Sequence, residues 1–348
     1  MRRLLAAWLV LLTVLAAGCS SPGKPHPQAE VKLPVGPPGT SDSGVLRLGF
    51  QVDVPDAPAI VAWQMGFFQQ DLGRVSLEAQ PFTSPGSEMA ALEEGQLDAA
   101  YLDPVSAVIV SQAVHGGLRI VAGTALGGTE LVVQKTITRP GQLKGRKLAA
   151  PGGVQQAAAD SWLRSNGLPA LTADETAPST DAGVLQEFRS GAIAGGWEPA
   201  PLDAEMTAAG GRVLATAAAN SPPAGGLPAV VLAVTDRYQT AHPAAVAHLI
   251  KGQLQADGFL AADRVSAEAA FQQKLAQSEH AALPPDVLAA SFVQVTFTDD
   301  PLEPKVQSEV RQASAAGMVK PVAHWAELFD LSELNAALRS VGHKPVGS

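Results

Sequence analysis

Two stretches of this chain follow one plan, and that repetition limits the folds open to it. In the first, FTSPGSEMAALEEGQLDAAYLDP at 82–104, Ser84, Pro85 and Gly86 break the preceding segment. Ser87 reads as the cap of a helix whose first turn carries Glu88, a charge suited to the positive end of the helix dipole. Met89 and Leu92 share a face, Gly95 supplies the left-handed stop, and 97–102 form a short apolar strand ended by Asp103-Pro104. In the second stretch a helix over 182–190 stops at Gly191, an apolar run reaches Trp197, and Glu198-Pro199 follows. Helix, glycine, buried strand and acid–proline pair, met twice, predict an α/β protein of two similar lobes. In such a protein helices cover both faces of each sheet, and ligands gather outside the carboxyl ends of the strands. The free N–H groups near Ser84 to Ser87 add a place that favours an anion.

The rest of the body fits that plan. Residues 45–50 alternate as a first strand, and QVDVPDAP at 51–58 makes the loop at its carboxyl end. A helix over 59–68 and a strand over 75–79 lead into the first repeated stretch. Beyond it come a buried helix over 105–114, a strand over 118–122 closed by Gly123, and a small-residue loop at 124–129 that lets a ligand approach backbone. Residues 130–134 read as a strand, and 139–147 as a turn-rich connection into 148–150. Pro151-Gly152-Gly153-Val154-Gln155-Gln156 then opens a helix that runs to Arg164 and ends at Asn166-Gly167. A strand over 212–215 and a Pro/Gly loop at 220–228 precede 229–235, a strongly β run that returns across a cleft. From His242 onward the pattern is helical with no further strand, so these helices complete the first lobe. The expected division is lobe 1 over 45–129 and 236–345 and lobe 2 over 130–235.

The N-terminus has a different character. Arg2 and Arg3 precede an apolar run over 4–14 and small residues before Cys19, the pattern of a secretory leader over 1–18. The run is short for an ordinary membrane span, the alternative reading. Leu15-Ala16-Ala17-Gly18-Cys19 resembles the lipobox of bacterial lipoproteins, with Leu15 one place early. That resemblance makes Cys19 the lipidated first residue of the mature chain, and several acyl chains together hold a protein stably where one is marginal. Residues 19–44, rich in Pro, Gly and Ser, read as a tether at an extracytoplasmic membrane face. Cys19 is the only cysteine, so no intrachain disulfide is expected.

Several functions are disfavoured. The formal charge of −9 and the scattered Lys and Arg residues leave no basic footprint for nucleic acid. Gly127-Gly128 and Gly152-Gly153 lack the spacing of a dinucleotide or phosphate loop, and no G-x-S-x-G elbow occurs. The seven histidines do not fall at metal-ligand spacing. Neither an enzyme nor a cofactor or metal protein is expected.

DAPAIVAWQMGFF, ALEEGQLDAAYLDPVSA, LRIVAGTALGGTELVV, QLKGRKLAAPGGVQQAAADSWLRSNGL and GGWEPAP stand in family order and spacing. Through them the body resembles the aliphatic sulfonate, nitrate and taurine group of ABC-transporter substrate-binding proteins. The resemblance implies a type II periplasmic-binding-protein fold, two α/β lobes joined by a two-strand hinge around a ligand cleft. It also implies a monomer that passes a small anion to an ABC permease. The chain departs from the family pattern where Asp56 replaces a frequent His, where Asp103 replaces a Gly, and where Val154-Gln155-Gln156 replaces Thr-Gln-Asp. Carboxylates added beside an anion repel it unless solvated or paired. A receptor for a pyrimidine or thiamine-precursor heterocycle is therefore the alternative, and a catalytic or sensory relative of the same fold a further one.

The expected ligand-binding set is Asp53, Asp56, Ala57, Ser84, Gly86, Ser87, Asp103, Thr124, Gly128, Gln155, Gln156, Trp197 and Glu198. Against ligand contact stand capping for Ser84, Gly86, Ser87, Asp53 and Asp56, a solvated first turn for the two glutamines, and a plain core position for Trp197.

Overall fold

The computed structural model describes residues 44–114, 116–150, 153–172, 180–216, 226–277 and 282–347, with the side chains of 153 and 154 excepted. The expected leader, Cys19, the tether up to residue 43 and the Pro151-Gly152 turn lie outside the described residues.

The chain opens with strand β1 (Val45–Gln51), helices α1 (Ala57–Gln64) and α2 (Phe67–Leu72), β2 (Ser76–Phe82), α3 (Pro85–Glu93), β3 (Ala99–Leu102), α4 (Pro104–Ala113) and β4 (Leu118–Gly127). It continues through β5 (Thr129–Gln134), β6 (Leu148–Ala149), α5 (Gly153–Ser165), α6 (Asp181–Ser190), β7 (Gly195–Pro199), α7 (Leu202–Ala208) and β8 (Gly211–Thr216). Strand β9 (Pro228–Thr235) is followed by α8 (Asp236–Ala241), α9 (Pro243–Ala262), α10 (Arg264–Leu275), α11 (Pro285–Val293), β10 (Val295–Phe297), α12 (Glu303–Ala315) and α13 (Ser332–Ser340).

These strands form two sheets. The first has the order β10-β4-β9-β3-β1-β2, with β1 parallel to both β2 and β3 and β9 antiparallel between β3 and β4. The second has the order β6-β7-β5-β8, with β5 antiparallel to both neighbours. Alternation along the strands sorts the core. Leu46, Leu48, Phe50, Tyr101 and Leu232 pack with α1, α2, α9 and α10 on one face of the first sheet. Ala100, Leu102 and Val231 pack with α4 and α12 on the other. Each fully buried Leu or Phe in these layers contributes about 1.5–3 kcal/mol. In the second sheet Leu131, Val133 and Trp197 face α5, while Val132 and Ala149 meet Val184, Phe188 and Met206 of α6 and α7.

The helices start where short polar side chains replace a missing backbone acceptor. Ser84, three residues before the expected cap Ser87, is the one that caps α3, accepting from Ser87 N–H at 3.3 Å. Asp103 caps α4, and Thr180 caps α6, which ends at Gly191 with φ of 76°. Three stretches differ from the sequence expectation. β4 runs on through Thr124 to Gly127 instead of closing at Gly123, because its pairing continues to Pro228 across β-bulges. β9, read as the end of the second lobe, lies inside the first sheet. β10 interrupts the region read as wholly helical: three residues are too few to show a strand period, and they follow directly on helix α11. Among the described residues no helix is long and apolar enough to cross a membrane.

Candidate functional site

Loops at the carboxyl ends of β1 and β3 and the first turn of α3 bring a row of carboxyl groups together. Asp53 accepts from Asp56 N–H at 3.0 Å, and Asp56 in turn accepts from Gln51 N–H at 3.0 Å, which folds the loop after β1 back on its strand. Asp56 is 1% exposed. Loss of solvation, then the charges of Asp53 and Glu88, push its carboxyl well above the usual carboxylate range. Glu88 sits one turn into α3 and is fully buried, and neither of its carboxyl oxygens has a hydrogen-bond partner. Burial, then the Asp53 charge, raise it strongly, while the Gln51 side chain opposes the rise. Asp103 is buried as the cap of α4, accepting from Ser106 N–H at 2.8 Å and from Ser106 Oγ–H at 2.5 Å. Glu309 of α12 closes the row: it is buried, its Oε2 has no partner, and burial followed by the Asp103 charge raises it against the pull of Lys305.

The second lobe holds its own acidic group. Trp197 and Glu198 are neighbours on β7 and so point to opposite faces of the sheet. Trp197 is buried beside Trp162, ring centroids 6.3 Å apart, with its Nε1–H unpartnered. Glu198 is folded over Gly196, where a Cβ would lie 2.9 Å from its Oε1. Desolvation first, then Asp181 and Asp203, raise Glu198 well above its ordinary value. Ion pairs among the described residues, such as Arg47 with Asp98 and Lys251 with Asp71, engage none of Asp56, Glu88, Glu198 and Asp203.

The lobes touch. Val54 N–H donates to the Ala200 carbonyl at 2.7 Å, and Ala200 N–H to the Gly128 carbonyl at 2.8 Å, so the turn after β7 is held between the loop after β1 and the crossing from β4 to β5. On one side of that point α5 packs on α4 and α12; on the other α7 packs on α11. Gln155 and Gln156 are half-buried at the start of α5, and Oε1 of Gln155 has no partner.

Of the expected residues, Asp53, Asp56, Ala57 and Asp103 meet at the cleft end of the first sheet, and Gly128 lies at the crossing. Thr124 is fully buried inside β4, while Gly86 and Ser87 are exposed on the outer start of α3 and Ser84 is half-buried there. Glu88, Tyr101 and Glu309 were not expected. Glu88 carried a signal, an acid between the cap and the apolar face of α3, but a first-turn acid reads equally as a partner of the helix dipole. Among the described residues no three His, Cys, Asp or Glu side chains group to hold a metal.

A family model described as NMT1-like family matches residues 39–277. No curated protein matches the sequence. Among solved structures the chain is similar to the alkanesulfonate-binding protein from Xanthomonas axonopodis bound to MOPS, with 19% identity, TM-score 0.69, 84% of this chain and 99% of that one covered. It is also similar to the periplasmic nitrate-binding protein from Synechocystis, with 14% identity, TM-score 0.72 and coverage of 86% and 90%. A third is the ligand-binding component of an ABC-type import system from Staphylococcus aureus with zinc bound, at 16% identity, TM-score 0.68 and coverage of 85% and 99%. These likenesses establish the two-lobed fold of periplasmic binding proteins.

Proposed function

The chain belongs to the NMT1-like family, and on that premise we propose that it is an extracytoplasmic solute receptor, anchored by lipid at Cys19, that closes its lobes on a small ligand and presents it to an ABC permease. Closure is the functional act. A ligand favours the closed form only by its difference in affinity for the two states, so it must be gripped from both sides. In this reading the first sheet and its helices, β9 among its strands, supply one side, the second sheet with α5, α6 and α7 the other, and the chemistry is binding without turnover.

The observation that carries the choice of ligand is Glu88, fully buried beside Asp53 and Asp103 with only the Gln51 side chain set against their charges and neither oxygen in a well-formed hydrogen bond. Carboxyl groups that outnumber their donors suit a solute rich in N–H groups, such as an aminopyrimidine, more than an anion. The anion reading keeps two supports: the sulfonate- and nitrate-binding relatives, and the α3 start with Ser84, Gly86 and Ser87. A thermal-shift screen of the leaderless protein against aminopyrimidines, thiamine, sulfonates, taurine and nitrate tests the choice, since a ligand at a hundred times its Kd stabilises by about 2.7 kcal/mol. Calorimetry on Asp103→Asn, which keeps the helix cap, then gives the sign. A heterocycle that donates to Asp103 loses about ten- to hundredfold in affinity, the worth of a charge-assisted hydrogen bond. An anion binds as well as before or tighter, and that outcome would overturn the donor reading.

A further inference from the structure

On the face of the first sheet that α9 covers, a second set of oxygens is gathered away from the carboxyl row. Gln253 and Asp257 lie one turn apart on α9, a spacing that puts both on one side of the helix. Gln253 is fully buried; it donates Nε2–H to the Gly123 carbonyl at 2.6 Å, which leaves its Oε1 without a partner. Asp299 arrives from the other direction, just past β10. Gly123 N–H donates to the Asp299 carbonyl at 2.7 Å and Thr298 N–H to the Thr124 carbonyl at 3.1 Å. That approach needs a glycine at 123, because a Cβ there would collide with the backbone carbonyl of Asp300. The carboxyl groups of Asp257 and Asp299 face each other and interact as a pair, with the Gln253 side chain also against Asp257, yet no oxygen of Asp257 and not Oδ1 of Asp299 has a well-formed hydrogen bond to any other group. The hydroxyl of Tyr101, also fully buried and unpartnered, has Asp257 as its foremost charged neighbour and Asp56 as its next.

We propose that Asp257 and Asp299, with Gln253 Oε1 and the Tyr101 hydroxyl, form a cation subsite in the first lobe, for a hard metal ion or the ammonium group of an organic molecule. Two carboxyl groups facing each other out of water cannot both ionise alone, so either a proton or another positive charge lies between them. The two further oxygens, both buried and both lacking partners, are what a shared proton does not use and a cation does. A donor set made of oxygen alone suits sodium, magnesium, calcium or an ammonium group rather than zinc. Among the described residues no ion pair joins a guanidinium to Asp257 or Asp299: Arg264 stacks instead over Phe292 and Phe297, 5.2 and 5.7 Å from their ring centres. The other charges that face the pair are Asp300 and His343 beside Asp299 and, through Tyr101, Asp56. The site stands whether the cleft ligand is an anion or a heterocycle.

The test uses the leaderless protein stripped with a chelator and titrated at neutral pH with calcium, magnesium, sodium or ethylammonium chloride. Melting temperature and calorimetric heat are read in two buffers of different ionisation enthalpy. One of the four probes is expected to raise the melting temperature saturably, with a buffer-dependent heat that reports release of the shared proton. Asp257→Asn and Asp299→Asn should weaken that probe at least about tenfold, and Tyr101→Phe, which removes only a hydroxyl, severalfold. Response to a metal ion alone assigns an inorganic occupant; response to ethylammonium alone assigns an amine. The proposal falls if none of the probes acts saturably on the parent, or if the variants respond as the parent does; a pair that only shares a proton gives the first of these results.

Discussion

At the scale of single residues the cleft is defined by buried acids gathered at the ends of β1 and β3. Asp56 and Asp103 were legible in the sequence because each acid stands just before a helix opened by a proline; Asp103 caps its helix with its side chain, while Asp56 holds the same position on α1 but turns its carboxyl back to Gln51 N–H. Glu88 and Glu309 were not, since nothing local marks an acid on a helix as the one turned inward; only the packing of α3 and α12 on the sheet decides it. Glu88 makes a sharp prediction. Its folded-state carboxyl is raised above the unfolded value near 4.3. A raised group binds its proton more tightly when folded, so its stabilisation is complete below the unfolded value and is lost as the pH climbs through the folded one. Glu88→Gln cannot ionise and escapes the loss. Thermal unfolding between pH 4.5 and 8.5 should show parent and variant converging at the acid end. At pH 8 the variant should be more stable by about 1–3 kcal/mol, the cost of one ill-satisfied buried polar group, or about 2–4 °C per kcal/mol. Parallel curves would mean that Glu88 is solvated as readily in the folded protein as in the unfolded chain.

At the scale of elements, legibility followed period and length. β1, with Leu46, Leu48 and Phe50 turned the same way, and β3, apolar throughout, showed themselves, and so did helices ended by Gly95 and Gly191. β10 and the far half of β4 did not: a three-residue strand has no period to read, and Thr124-Ala125-Leu126-Gly127 becomes a strand only because β9 and β10 lie alongside to pair with it. The element that matters most for closure is α5, which has one side on its own sheet and the other on α4 and α12. Ala157 packs against the first-lobe core from across the cleft, while Ala158 belongs to the core of the second. Ala157→Arg should therefore leave each lobe folded, with unfolding free energy within about 0.5 kcal/mol of the parent, the range of a surface change. It should cost at least about tenfold in affinity for the best screened ligand, because a bulky charge stands where the lobes meet. Small-angle scattering checks the mechanism: the parent should compact on adding ligand and the variant should not. Compaction in both would show that α5 need not touch the first lobe for capture.

At the scale of the whole molecule the repeated helix, glycine, strand and acid–proline plan was enough to foresee two sheets, since each copy ends in a strand of a different one, β3 and β7. Where the chain passes between them was less legible, because a crossing is set by contacts that no local pattern encodes. Gly127 and Gly128 both stand in the left-handed region, at φ of 72° and 73°, between β4 and β5. Gly128 donates to the Gln294 carbonyl at 3.1 Å and accepts from Ala200, which also accepts from Val54, so the crossing, the first-lobe loop and the second-lobe turn are tied at one point. A Cβ on Gly128 would lie 2.5 Å from Val295 Cγ2 and 3.4 Å from Pro55 Cγ. Gly128→Ala should cost about 1–2 kcal/mol for the left-handed backbone and about 1–3 kcal/mol more for the crowding. It should also weaken ligand binding, because displacing Pro55 and the Ala200 turn penalises the closed form more than the open one. Gly167 separates the two effects: it is left-handed too, with φ of 72°, but a Cβ there meets nothing within 4 Å. Urea unfolding should show both alanine variants destabilised, Gly128→Ala the more. Calorimetry should show affinity lost in Gly128→Ala and kept in Gly167→Ala, and equal affinity in the two would mean that the lobes close without reference to this point.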